Sequence, residues 1–138
     1  MLNQPVSSLL LKLCKIAWAS PYSLLGALIG CVGLLTGGKV RWRAGAIEFH
    51  GGATRWFVRH LPTGKATVGF TLGHVILGQD VKGLDFAQKH ERVHVRQFEL
   101  WGPFMGPAYL LASLWIWWHG GDIYFDNPFE VEAYREAP

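Results

Sequence analysis

The sequence predicts an α+β fold: an N-terminal apolar helix long enough to span a bilayer, a small antiparallel β-sheet, and then three helices. Three observations predict it. Residues 16–36, IAWASPYSLLGALIGCVGLLT, run for 21 positions without a charge. Residues 39–80 alternate apolar and polar side chains in short runs punctuated by glycine, the period of strands. From Phe86 to Leu100 no Gly or Pro interrupts a helical pattern, and an Asn-Pro pair at 127–128 opens another. The chain then divides into an N-terminal membrane anchor over 1–38 and one minimal α+β domain over 39–138, with its β part at 39–80 and its helical part at 81–138.

With 138 residues there is room for one core and not two. Half the residues are hydrophobic and only 17 % are charged, below the roughly 25 % of an average soluble domain, which points toward lipid. Charge is also segregated. Residues 1–79 carry eight Lys/Arg against the single acid Glu48, and residues 80–138 carry five against nine acids. A basic half beside an apolar run fits contact with anionic lipid headgroups. Nucleic acid is not an expected partner, because Arg41, Arg43, Arg55 and Arg59 are spread over strand-like sequence with no recognisable nucleic-acid module.

The 21-residue run suits a bilayer core of about 30 Å as one helix. Gly26 and Gly30 inside it form GxxxG, a spacing that admits close approach of another helix or simply reflects the small residues common in membrane helices. A signal peptide is the competing reading, since Lys12 and Lys15 precede the run and Leu28–Cys31 resembles a lipobox. Apolar residues continue past that cysteine to Leu35, which favours a retained anchor. Basic residues flank both ends, with Lys12 and Lys15 before and Lys39, Arg41 and Arg43 after, so the positive-inside rule only slightly favours a cytoplasmic remainder and does not decide the side. Cys14 and Cys31 both lie in apolar sequence and form no disulfide framework.

In the β part, KVRWRAGAIEFHGG places Val40, Trp42, Ile47 and Phe49 in alternation, and TRWFVRHL and ATVGFTLGHVIL read as further strands separated by a Pro62-Thr63-Gly64 turn. Three to five short antiparallel strands are expected. In the helical part, Asp85 with Gln88 has the pattern of a capping box.

On the helix that follows, HERVH puts His90 and His94 one turn apart on one face, as two imidazoles must be to hold one zinc ion. Glu91 is rotated off that face by one residue, where a carboxylate can take a proton from activated water. The competing reading is a charged surface helix. A metal site needs a further ligand, and DNPFEVEAYRE offers two, Glu130 and Glu132, which point about 200° apart on a helix. Helix N-terminal charge compensation alone also accounts for Glu130.

These residues resemble the glutamate-zincins, membrane metallopeptidases of the CAAX-processing and heat-shock types, in which HExxH is followed by a helix bearing E-x-x-A-D. Glu130-Val131-Glu132-Ala133-Tyr134 matches with Tyr in place of the last Asp. Residues 73–134 also resemble a group of small bacterial membrane proteins with HExxHxxQ, a Gly/Pro-containing apolar segment and NPFExEA. The resemblance implies Glu130 as third ligand, Zn2+ as cofactor, a minimal zincin-like domain, an inner-membrane location and a peptide or protein substrate. The chain is much shorter than those peptidases, has no separate substrate domain, and has Tyr134 where an acid supports the site.

Leu100–Trp118 is a second uncharged run, of 19 residues, and reads by hydropathy as a span. A single crossing would separate His90 from Glu130 by about 30 Å, so the span and the metal site exclude each other. Gly102, Pro103, Gly106 and Pro107 break the run and leave Ala108–Trp118, about 16 Å of helix and too short to cross. Four tryptophans, at 101, 115, 117 and 118, suit a return helix in the interface.

His74 is expected on a strand just before the motif helix, near where an edge strand pairs with extended substrate in the resembling peptidases, or as a structural histidine. Tyr134, Tyr124 and His74 are the groups available to stabilise an oxyanion, with Tyr134 favoured for lying one turn from Glu130. His50, His60 and His119 have no assigned role. The expected activity is peptide hydrolysis by zinc-activated water, with His90, His94 and Glu130 as ligands, Glu91 as general base and Tyr134 assisting. The alternatives are a non-catalytic protein in which metal fastens two helices, and a metal-free membrane-surface adaptor. Oligomeric state is not legible.

Overall fold

A computed structural model describes residues 6–62 and 67–138. Thr63 and Gly64 of the expected turn lie outside the described residues. The element order is α1 (Val6–Leu35), β1 (Lys39–Arg43), β2 (Ala46–His50), α2 (Gly52–Arg59), β3 (Gly69–Leu72), β4 (Val75–Gly78), α3 (Val81–Trp101), a 3₁₀ turn (Gly102–Phe104), α4 (Met105–Trp118) and α5 (Pro128–Glu136). The α+β class and the layout along the chain agree with the sequence.

Helix α1 has 30 residues and is long and apolar enough to cross a membrane, a test that a signal sequence near the N-terminus also passes. Most of its surface is exposed, including Leu24, Leu25, Leu28 and Val32. Its buried stripe is Ala19, Gly26, Gly30 and Gly33. A Cβ on Gly26 would stand 2.9 Å from the Cβ of Val75, one on Gly30 would overlap the Phe49 ring, and one on Gly33 would overlap the Thr54 hydroxyl. The GxxxG spacing therefore admits the chain's own sheet and α2. The helix expected as a separate anchor is thus also one wall of the core.

The sheet has four strands in the order β1-β2-β4-β3. It is mixed, a correction to the expected all-antiparallel sheet: β1/β2 and β4/β3 are antiparallel, but β2 and β4 run parallel with Ile47 opposite Val75 and Phe49 opposite Leu77. TRWFVRHL is the cause. It forms helix α2 and not a strand, because Thr54 and Val58, one helical turn apart, are both fully buried while Trp56 stays outside. The chain thereby crosses over and returns in the direction of β2. ATVGFTLGHVIL likewise holds two strands, β3 and β4, and His74 sits in the Gly73-His74 turn between them and not on a strand.

Side chains of β4 alternate as strand geometry requires. Val75 and Leu77 join the core of Ala19, Phe49, Val58, Phe98, Met105 and Phe129, while Ile76 joins Ala46, Leu84 and Val95 beneath α3. At the sheet's outer end, buried Glu48 accepts from Arg41 Nε at 2.6 Å and Arg43 Nε at 3.1 Å, and both arginines reach Asp85 at 2.7 Å. Two of the basic residues that the composition offered to lipid are therefore occupied by acids of the protein. Asp85 is inside α3. The N-cap is Asp80, which accepts from Gly83 N at 2.7 Å, so the expected capping box gives way to a start five residues earlier.

The GPFMGP break reverses the chain, as expected. Helix α4 begins sooner than expected, at Met105, because Gly106 and Pro107 fall in its first turn, where proline's missing N–H costs no hydrogen bond. Its 14 residues measure about 21 Å, still short of a crossing. The reversal is pinned by α1: Trp18 Nε1 donates to Leu100 O at 3.2 Å, Tyr22 Oη donates to Pro103 O at 3.0 Å, and Gly106 N donates to Tyr22 Oη at 3.0 Å.

Candidate metal centre

Helix α3 carries His90 and His94 on one face, with their Nε2 atoms 3.1 Å apart. Helix α5 delivers Glu130, whose Oε2 is 3.1 Å from His90 Nε2 and 3.2 Å from His94 Nε2. Three lone-pair atoms thus form a nearly equilateral triangle. Tetrahedral ligands at bond lengths of about 2.0–2.1 Å stand roughly 3.3 Å from one another, so the triangle is close to the size a small divalent ion requires. His90, His94 and Glu130 can hold a metal ion. Their meeting also shows that residues 100–118 turn back between them.

Charge is coupled across the three residues. Burial works against charge on His94, but the hydrogen bond and charge of Glu130, together with the charge of Glu91, raise it to about 9. Burial likewise opposes ionisation of Glu130, yet the hydrogen bonds from His90 and His94 outweigh it and hold the carboxyl at about 2. Metal binding at such nitrogens releases protons.

Residues around the ligands hold them in place. Gln97 Nε2 donates to Phe129 O at 2.9 Å and Glu132 Oε2 at 2.8 Å, which fixes the orientation of its amide. Its Oε1 then faces His94 Nδ1 at 2.8 Å, so Nδ1 must carry the proton and Nε2 keeps its lone pair for a metal. His90 lacks this support: its Nδ1 is buried without a hydrogen-bond partner among the described residues. Tyr109 Oη donates to Glu130 Oε1 at 2.9 Å, leaving Oε2 to the site. The two carboxylates that competed for the ligand role are separated: Glu130 joins the histidines and Glu132 holds Gln97.

Glu91 is buried beside the triad. Its Oε2 accepts from Thr71 Oγ1 at 2.7 Å, and a Cβ on Gly69 would come within 3.0 Å of its Oε1. Both residues lie on β3, the edge strand, so the glutamate is clamped against the strand bordering the site. Tyr134 packs its ring on His90 with centroids 4.5 Å apart, and its hydroxyl meets that of Tyr124 at 3.2 Å. Tyr124 lines the cavity in front of the triad, and burial, then the hydrogen bond with Tyr134, push its phenol well above the ordinary range.

His74 is elsewhere. Its Nε2 pairs with Glu99 Oε1 at 2.9 Å, and its backbone N donates to Ser23 Oγ, a structural arrangement. His60 and His119 bond carbonyls one turn back in their own helices, at Trp56 and Trp115. Thr71, Gln97 and Tyr109 had no assigned role in the sequence reading. Gln97 stood in the HExxHxxQ pattern, whereas Thr71 and Tyr109 left no local signal. In front of the triad lies a cavity of about 410 Å3 bordered by β3, α3 and α4. No protein-family model, no curated protein and no solved structure matches the chain, and the candidate centre rests on its own geometry.

Proposed function

We propose that this chain is a membrane-associated zinc peptidase of the glutamate-zincin kind, seated in a bacterial inner membrane by α1, with α4 in the interface. The observation that carries the reading is the convergence of His90, His94 and Glu130 beside a clamped Glu91 at the wall of an accessible cavity. Two imidazoles and a carboxylate are a donor set of catalytic zinc, which keeps a coordination position for water or substrate. Bound there, zinc supplies a Lewis acid that polarises a carbonyl and acidifies water.

The protein's own residues do the rest. An extended peptide adds along β3, an end strand of the sheet among the described residues, whose residues Gly69–Leu72 line the cavity. Thr71 occupies Glu91 Oε2, which leaves Oε1 to take a proton from the attacking water. The water oxygen bonds to the carbonyl carbon, the C–N bond breaks, and Glu91 passes the proton to the departing amine. Charge on the carbonyl oxygen is met by the phenol pair, with Tyr124 facing the cavity and Tyr134 holding its hydroxyl from behind.

The test is a pair of variants. Wild-type protein purified in detergent should hold about one zinc per chain and His94→Ala should lose it, while Glu91→Gln should keep zinc and lose hydrolysis. Equal zinc in wild type and His94→Ala removes the metal centre, and undiminished turnover in Glu91→Gln removes the general base.

A further inference from the structure

We propose that α1 lies flat in one leaflet of an anionic bilayer, its outer face among the acyl chains just below the headgroups, and does not cross. Neither metal nor hydrolysis enters into it. The two sides of α1 differ in chemistry along its length. At about 100° per residue, Lys12, Lys15, Ala19, Gly26, Gly30 and Gly33 fall within about 40° of one line. The last four are buried and Lys15 Nζ stands 3.9 Å from Glu99 Oε2 of α3, so this line faces the domain. Leu10, Leu13, Leu24, Leu28, Val32 and Leu35 fall within about 60° of the opposite line. All six are exposed, Leu24 by 70 % and Leu28 by 64 %. A helix surrounded by lipid has no reason to keep both of its lysines on one side, whereas a helix with protein on one face and lipid on the other does.

The position of the domain leads to the same orientation. The sheet rests on α1 at Gly26 and Gly30 through Val75 and Phe49, and α3 covers its other face, where Leu84 and Val95 pack with Ile76. If residues 16–36 stood upright in hydrocarbon, the sheet and α3 would stand at the same depth. Exposed Lys82 and Lys89 of α3 would then enter the acyl region, where charged side chains are costly. Laid flat, α1 extends about 45 Å along the membrane and turns its leucines to lipid, while the sheet and α3 stack away from it.

Lipid suits this outer face better than a second copy of the chain. The small residues that let helices approach closely are already occupied by the sheet and α2, and what they leave outside is mostly leucine. Cations border the strip at both ends. Lys12 stands near its start, and α2, which meets α1 where Thr54 touches Gly33, exposes Arg55 and Arg59 with Trp56 between them. Such groups suit anionic headgroups and the membrane–water boundary.

The experiment uses the full chain lacking Cys14 and Cys31, with a spin label on Leu10→Cys, Leu24→Cys, Leu28→Cys or Leu35→Cys, all exposed positions. The protein is reconstituted in vesicles of phosphatidylcholine and phosphatidylglycerol, and depth is read from relaxation by oxygen against a nickel chelate. Leu10 and Leu35 are about 37 Å apart along the helix. Lying flat, all four labels should sit about 5–10 Å below the headgroups, at depths equal within about 5 Å. Labels at Leu24 and Leu28 about 15 Å deep, with those at Leu10 and Leu35 near the two surfaces, would describe a crossing and overturn the proposal. Labels no more accessible to oxygen than one on Lys82→Cys would overturn it as well, since the strip would then not face lipid. Transfer of detergent-solubilised protein to preformed vesicles, followed by flotation, should fall about tenfold or more when phosphatidylglycerol is omitted. Undiminished transfer would remove anionic lipid from the proposal.

Discussion

Replacing Gln97 by Leu tests whether the metal centre is held by its surroundings or only by its ligands. The side chains are of similar size, so the change removes hydrogen bonds with little change in volume. Three are lost: the acceptor for His94 Nδ1 at 2.8 Å and the donors to Phe129 O and Glu132 at 2.9 and 2.8 Å. Without the acceptor, His94 is free to place its proton on either nitrogen, and half of its tautomers present N–H to the metal position. Loss of such an outer partner weakens metal binding by about 10–100-fold, or about 1.4–2.7 kcal/mol. The buried Nδ1–H left unpaired costs a further ~1–3 kcal/mol of folding free energy. Zinc affinity is measured by competition with a chromogenic chelator, and folding by circular dichroism. Gln97→Glu separates the two effects: its carboxylate still accepts from Nδ1, so zinc binding should stay near wild type while stability falls through repulsion with Glu132. Zinc affinity of Gln97→Leu within twofold of wild type would refute the tautomer argument.

Thr71→Val should keep zinc but lower turnover by about tenfold or more, since a hydrogen bond to a charged group is worth roughly 1.5–3 kcal/mol and Glu91 loses its donor. Thr71→Ser should restore turnover; a Val variant with unchanged turnover would release Thr71 from any positioning role. Gly30→Leu drives a side chain into the Phe49 ring and should destabilise by about 1–3 kcal/mol or more, with part of the loss recovered by adding Phe49→Ala. Thermal unfolding in detergent checks this, and purely additive losses would mean that α1 does not rest on the sheet there. Single cysteines at Lys89 and Arg135, in a background lacking Cys14 and Cys31, should both react with an impermeant thiol reagent on intact vesicles, or neither should. Labelling of one alone would place the ends of the 100–118 segment on opposite sides of the membrane.

What the sequence by itself determined is local. His90 and His94 share a face because four residues make one helical turn, and GPFMGP breaks the apolar run because glycine and proline act on their own backbone. Asn127-Pro128 starts α5 as read, with Asn127 Oδ1 accepting from Phe129 N. Tertiary structure decided what depends on partners far along the chain. Thr54-Arg55-Trp56-Phe57-Val58 has the composition of a strand, and only burial of Thr54 and Val58 against α1 and the sheet makes it a helix, which in turn makes β2 and β4 parallel. Gly26 and Gly30 announced a close approach without saying to what. Thr71 reaches Glu91 across 20 residues and Tyr109 reaches Glu130 across 21, so no spacing rule finds them. Helical periodicity arises within one turn of backbone, whereas the partner of a buried hydroxyl or carboxylate is chosen by which elements pack together, and that choice exists only in the folded chain.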